Sequence, residues 1–367
     1  MKKYILYPYN KNAYALAKFW EQNNSSRIVG IFAPKSYGIE GKDGGTIYGF
    51  SRLGYEVKSD YSNQLDESDG IIIPPVLSEK LIQKVFGIIV KTLQAGKDVI
   101  CYCKLGEDYR KKLAPLLDDT IGEFLYKAEE EKAINYEKKE NGIWFTPEIP
   151  VVVIGETLSG LSAAEITCEL FYDMSHKGYN PIAIVEYAYA FGENMIELPD
   201  FLNGVEIAND QKVLVFNSFI KRLVDEYRPG ILLIQIPNAM IRQNIYDRSN
   251  FGVVPYIISQ AINVDYAIIC DVLRQSDTEE EYIKYYEEMC KCFWYRFGIC
   301  IDEICLSNIK IDLAGSYARG HITHYHTGHE EVEYIVQLIN KKIQPVLYSG
   351  LSYEVRKSSS RIIDKLS

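Results

Sequence analysis

From one end of the chain to the other, short apolar runs alternate with longer amphipathic stretches. That alternation asks for strands buried on both faces and helices with one apolar stripe, the pattern of parallel α/β layers. At 367 residues, with 47% hydrophobic and 25% charged, the chain is long enough for two cores of about 100–200 residues each. The apolar fraction excludes a mainly disordered protein, and the mixture of apolar periods excludes a fibre or a simple repeat array. Forty Lys and Arg against fifty Asp and Glu leave a net charge of −10. A duplex nucleic-acid binder needs a basic surface, so no nucleic-acid partner is expected.

Met1-Lys2-Lys3 resembles the start of a secretory signal, but Tyr4–Tyr7 is too short for its apolar region and Pro8, Asn10, Lys11 and Asn12 follow at once. No run approaches the roughly 18–20 apolar residues that cross a bilayer. Eight cysteines are too sparse for a disulfide scaffold and include no Cys-x-x-Cys pair, so they read as reduced core thiols. A cytoplasmic protein without a membrane partner is expected.

In the first part, strands are predicted near Lys3–Pro8, Arg27–Ala33, Gly70–Pro74 and Asp98–Cys103, with helices near Asn12–Gln22 and Ser78–Ala95. This predicts a Rossmann-like domain over residues 1–117 without a G-x-G-x-x-G fingerprint. Residues 118–145 read as a charged linker or helix, since Asp118–Glu140 holds eight acids against four lysines. It ends at Asn141-Gly142, with a short strand predicted at Ile143–Phe145. Residues 146–367 then read as a second, mostly parallel α/β domain. Its strands are predicted near Ile149–Ile154, Pro181–Glu186, Val213–Phe216, Gly230–Pro237, Tyr266–Val272, Glu303–Ile311 and Gln344–Tyr348. Ser276-x-x-Glu279 reads as a capping box that opens a helix closed by Gly298.

The most informative stretch opens this second domain. Gly155-Glu156-Thr157-Leu158-Ser159-Gly160-Leu161-Ser162 follows a buried-strand run and precedes an amphipathic helix. A Walker A loop, G-x-x-x-x-G-K-[S/T], has this spacing and context; its backbone amides cradle phosphates and its lysine neutralises them. Here Leu161 replaces the lysine, and Glu156 adds a negative charge to the turn. The candidate phosphate-loop residues are therefore Gly155, Glu156, Thr157, Ser159, Gly160 and Ser162. An ordinary strand–turn–helix is the competing reading, with Ser162-x-x-Glu165 as its cap.

A Walker B strand is an apolar run ending in an acid that holds magnesium. The candidate, Gly230–Pro237, carries Gln235 at that position, which brings no charge for a hard cation. Asp265 and Asp271 flank the next strand and could supply an acid from a neighbouring position, but strand-end solvation is the favoured reading. Asn308, Lys310 and Asp312 match a guanine-reading loop only with the wrong spacing. With both charged hallmarks neutral, nucleotide hydrolysis is not expected. No Gly-x-Ser-x-Gly nucleophile elbow is present.

Four of the five histidines, His321, His324, His326 and His329, fall within ten residues. Three imidazoles, with Glu330 or Glu331 as a further ligand or base, form a possible metal site. Thr327-x-x-Glu330 reads as a capping box that puts His329 in the first turn of a helix. An exposed polar loop is the competing reading. Tyrosine reaches 29 residues, and clusters of it near strand ends fit a cleft for a peptide.

On Tyr4–Asn12, Val151–Ser162 and Leu232-Ile234-Gln235-Ile236-Pro237, the whole chain resembles the peptide maturation system proteins of ribosomal natural-product gene clusters. Its C-terminal domain is similar to the P-loop domains of a family with a Rossmann-like N-terminal domain. The resemblance implies an accessory role in peptide maturation, with a peptide precursor or a peptide-modifying enzyme as partner. Two alternatives remain: a nucleotide-using P-loop enzyme with a non-standard Walker A, and a metal-dependent hydrolase centred on His321–His329. A nucleotide and a divalent metal are thus the candidate cofactors, and neither is firmly expected.

Overall fold

The structure, a computed structural model, describes all residues except 24, 49–51, 77, 119, 128–143, 187–193, 247–251, 275–277, 351 and 367. The described residues divide into two compact units, one formed by residues up to 127 and the other by residues from 144 onward.

The first unit is built on six strands: β1 (Lys3–Leu6), β2 (Arg27–Phe32), β3 (Val57–Lys58), β4 (Gly70–Ile73), β5 (Asp98–Cys101) and β6 (Phe124–Tyr126). They lie in the order β3-β2-β1-β4-β5-β6, every pairing parallel. That is the Rossmann strand order, which reverses direction between β1 and β4. The connecting helices are α1 (Tyr14–Asn23), α2 (Ser62–Asp66), α3 (Glu79–Gln94) and α4 (Glu107–Leu117). On α1, Leu16, Ala17 and Trp20 are buried, as is Ala13 just before it. Gly96 follows α3 at φ 70°, the left-handed conformation that ends a helix without a Cβ penalty. The segment read as a charged linker from residue 118 supplies β6, the edge strand of this sheet; the rest of its charged run, 128–143, lies outside the described residues.

The second unit carries a seven-stranded parallel sheet in the order β15-β12-β11-β7-β10-β8-β9. Its strands are β7 (Val151–Glu156), β8 (Pro181–Val185), β9 (Met195–Glu197), β10 (Ile231–Ala239), β11 (Tyr266–Val272), β12 (Glu303–Ser307) and β15 (Val346–Ser349). A separate antiparallel ribbon pairs β13 (Ile309–Ile311) with β14 (His324–His326). Every residue of β7, β8, β11 and β12 is buried, as expected where helices cover both faces. The helices are α5 (Ala163–His176), α6 (Asn209–Tyr227), α7 (Val253–Ala261), α8 (Glu279–Phe297), α9 (Leu313–Arg319), α10 (His329–Ile339) and α11 (Ser352–Leu366).

Three local expectations are corrected. Val213–Phe216, predicted as a strand, lies inside α6. Its apolar run continues as Phe219, Ile220 and Leu223, which are buried with Phe216 at helical spacing, and the longer period wins over the short run. Of the strand predicted at Ile143–Phe145, Ile143 is outside the described residues and Phe145 is in no strand. Instead, the Asn217 side chain bonds both Phe145 backbone groups, at 3.0 and 2.7 Å, as a strand neighbour would. The cap of α8 is Thr278, which accepts from the Glu281 amide; Ser276 lies outside the described residues. Gly298 closes the helix as predicted.

Candidate functional site

β7 occupies the middle of the second sheet, and the loop 157–162 joins its carboxyl end to α5. Two glycines make the turn possible. At Gly155 an added Cβ would sit 2.2 Å from Met240 Sδ, so the strand end accepts no side chain without moving a buried neighbour. Gly160 adopts φ 82°, a left-handed conformation in which L side chains are strained. The Thr157 amide extends the parallel ladder to the Cys270 carbonyl at 2.9 Å. Strand, glycine turn and helix thus form a P-loop-like connection at the centre of a parallel sheet.

What fills the turn is the chain's own carboxylate. Glu156 is buried, and its Oε1 accepts the backbone N–H of Gly160. In a phosphate loop such an amide, close to a helix N-terminus, is aimed at an anion. Leu161, in the lysine position, is buried, as is Leu158. Ser159 is exposed. Ser162 sits at the N-cap of α5 but makes no side-chain capping bond, so the expected Ser162-x-x-Glu165 box does not form.

Around the loop lies a polar network that the sequence reading missed. The Thr157 hydroxyl donates to Oδ1 of Asp271, at the carboxyl end of β11. Asp271 is fully buried, and its Oδ2 has no hydrogen-bond partner among the described residues. Asp271 is therefore not strand-end solvation; Asp265, at the other end of the strand, accepts the Val151 amide at 2.8 Å. Gln243 Nε2 donates to the Thr157 carbonyl at 2.8 Å. Arg274 Nη2 donates to Gln243 Oε1 at 2.6 Å and to the Tyr285 hydroxyl at 2.5 Å. The Arg274 guanidinium lies 4.2 Å over the Tyr285 ring, while its Nε is buried without a hydrogen-bond partner among the described residues.

Burial pushes the Asp271 carboxyl above the usual range, against the pull of Arg274 and the Thr157 hydroxyl. Burial also works against the Arg274 charge, but Asp271 and Tyr285 outweigh it and the guanidinium holds its proton more firmly than usual. Burial, reinforced by Asp271, raises Tyr285 strongly, so it remains a neutral phenol. A cation, a buried acid and a phenol thus surround a loop that lacks its lysine. The only sequence signal for this was an Asp ending the strand that pairs with β7, and that pairing is not written in local sequence.

The Walker-B-like Gln235 sits on β10 beside β7, but its Oε1 accepts the Glu186 amide at 3.0 Å. It ties β10 to the chain beyond β8.

The histidines do not converge. His321 follows α9, His324 and His326 lie on β14, and His329 opens α10; all four are exposed. His324 and His326 share one strand face with ring centroids 6.3 Å apart. Among the described residues, no group of three or more His, Cys, Asp and Glu side chains is placed to hold a metal ion. Glu331, a proposed ligand, pairs with Lys310 and accepts from the Thr327 hydroxyl. The α10 cap is Gly328, so the Thr327–Glu330 box does not form. Asn308 bonds the Thr327 carbonyl and Asp312 caps α9, which accounts for the guanine-loop look-alike by local structure.

In the first unit, tyrosines gather where β1 and β2 end. The Tyr7 and Tyr61 rings are tilted by 50° with centroids 4.9 Å apart, and those of Tyr9 and Tyr48 lie 6.1 Å apart. Tyr9 donates to the Gly44 carbonyl at 2.8 Å. Tyr37 is among the exposed large residues at 38%.

No protein-family model and no curated sequence matches the chain. Among solved structures, a DUF1611 family protein from Anabaena variabilis matches with a TM-score of 0.55 and 12% identity, over 100% of this chain and 99% of that one. The two-unit α/β fold is thus shared over both whole chains. The MinD cell division protein of Aquifex aeolicus matches 59% of this chain and 95% of its own, with 12% identity and a TM-score of 0.33. A GTPase in apo form from Pyrococcus abyssi matches 58% of this chain and 97% of its own, with 11% identity and a TM-score of 0.30. Among the described residues, no helix is long and apolar enough to cross a membrane.

Proposed function

We propose that this protein is a cytoplasmic accessory factor in the maturation of a ribosomally synthesised peptide, binding a peptide precursor or its modifying enzyme without hydrolysing nucleotide. The observation that carries the non-hydrolytic part is the Glu156 carboxylate on the Gly160 amide, with Leu161 buried where a lysine is needed. A phosphoryl-transfer site relies on positioned charge around the phosphates, and this loop offers a carboxylate instead. The peptide-binding part draws on the family resemblance of the sequence and on the exposed Tyr37 and half-buried Tyr48 and Tyr61 of the first unit, since Tyr7 and Tyr9 are buried. Tyrosine supplies rigid amphipathic contact area at small entropic cost. Two measurements on the wild-type protein test the reading: ATP and GTP turnover with magnesium, and calorimetric titration with the precursor peptide encoded beside it. No turnover and a saturable peptide isotherm are expected. Turnover abolished by Gly160→Val, or absence of binding to every peptide or enzyme encoded alongside, would overturn it.

One observation favours a second reading, that of a nucleotide-using enzyme. Asp271 brings a buried acid to the loop from β11, and Arg274 brings a cation. In that reading the acid has moved from β10, where Gln235 stands, to β11 on the other side of β7, and arginine stands in for the missing lysine.

A further inference from the structure

We propose that Glu156 is a latch on an anion site: its carboxylate takes the place of a ligand phosphate, and when it leaves, the loop binds a polyphosphate with Arg274 as the counter-charge. The inference rests on reading 155–162 as a loop descended from a phosphate nest, and it adds the regulation of that site.

Three features support it. The Gly160 amide is satisfied by a carboxylate from within the same turn, and a carboxylate oxygen offers a backbone N–H the same kind of acceptor as a phosphate oxygen. The turn also keeps a left-handed glycine, Gly160 at φ 82°, and the tight Gly155–Met240 packing. Independently, two buried polar atoms beside the loop, Asp271 Oδ2 and Arg274 Nε, have no hydrogen-bond partner among the described residues. A buried polar atom left unpaired keeps its desolvation cost, and the pair matches a ligand that accepts from the guanidinium and either donates to the acid or bridges to it through a cation.

Charge explains the closed state. Arg274 already faces Asp271, Gln243 and Tyr285, and Glu156 adds a second carboxylate at the loop. A single inorganic anion has little to offer against a tethered carboxylate, whose effective concentration is in the millimolar range or above. A polyphosphate carries several charges and spans both the loop amides and Arg274. Removing Glu156 therefore does two things: it frees the Gly160 amide, and it removes a like charge.

The test uses full-length protein and inorganic tripolyphosphate, titrated by calorimetry without divalent cation and repeated with magnesium. Wild type is expected to bind weakly. Glu156→Ala is expected to bind at least ten-fold more tightly, and Arg274→Gln on that background to lose the gain. Glu156→Gln keeps the side-chain volume and an acceptor for Gly160, so it is the second variant should alanine destabilise the loop; a several-fold gain is expected. Thermal melts and circular dichroism establish that each variant is folded. No gain in a folded Glu156→Gln or Glu156→Ala protein overturns the latch. A gain that survives Arg274→Gln overturns the role of Arg274. Neither result touches peptide binding or turnover by wild type, so the accessory reading stands or falls on its own measurements.

Discussion

The Thr157 hydroxyl donates to Oδ1 of Asp271, joining the loop after β7 to the end of β11. Both residues are fully buried. Because burial raises the Asp271 carboxyl, the folded chain binds a proton that the unfolded chain has released. The sign follows: stability falls as pH rises from the ordinary Asp value, near 3.9, through the higher folded value. Asp271→Asn keeps an acceptor for Thr157 and has no proton to lose. In urea unfolding at fixed ionic strength, the variant's stability is expected to fall less over that window. Parallel curves for the two proteins would contradict a buried, proton-holding Asp271.

Gly155 and Met240 test the packing beneath the loop. A methyl group at 155 meets Met240 Sδ at 2.2 Å and Ile269 Cδ1 at 3.4 Å, so Gly155→Ala overpacks the site at a cost of about 1–3 kcal/mol. Met240→Ala alone leaves a cavity costing about 2–5 kcal/mol. The double variant is expected to be more stable than the sum of the two losses, because each change relieves the other. Additive losses would show that the two side chains do not share the space.

How much of this was legible in the sequence depends on range. The loop was readable because a buried run, two glycines and an amphipathic helix are contiguous; β7, Gly160 and α5 stand where their local pattern puts them. Arg274, Gln243 and Tyr285 were not readable, because they meet Thr157 only after β7, β10 and β11 have been laid side by side. Asp271 was seen as an acid that a neighbouring strand could supply, but strand-end solvation was favoured for the same reason: an acid at a strand end looks solvated until the neighbouring strand is known. The histidine run failed in the opposite sense. Proximity in sequence suggested convergence, but β14 is extended, and at about 3.3 Å per residue it carries His321 and His329 off opposite ends of the exposed pair.

At the amino end of β12, Arg361 clamps Glu303. Nε lies 2.6 Å from Oε1 and Nη2 lies 3.0 Å from Oε2, while Tyr266 and Ser358 each donate to the same carboxylate at 2.6 Å. Glu303 is fully buried, so Arg361→Met leaves a charge in the core and is expected to cost about 3–5 kcal/mol. Glu303→Gln combined with Arg361→Met removes that charge and should recover much of the loss. Chemical denaturation of the three proteins decides it, and a single variant as stable as wild type would show that the clamp contributes little.

Lys310 and Glu331 hold the β13–β14 ribbon to α10. The Lys310 ammonium and the Thr327 hydroxyl both donate to the Glu331 carboxylate and keep it below the ordinary range. A depressed carboxyl contributes stability above its unfolded value, near 4.3, and that contribution is lost as pH falls through the folded value. The Glu331 side chain is 42% exposed, so water screens the pair and Lys310→Met is expected to cost roughly 1 kcal/mol or less at neutral pH. The gap between variant and wild type should close as pH falls through the folded value, below which Glu331 is protonated in both states, and should shrink in high salt. A gap that persists in acid would mean that Lys310 acts through the packing of its aliphatic stem and not through its charge.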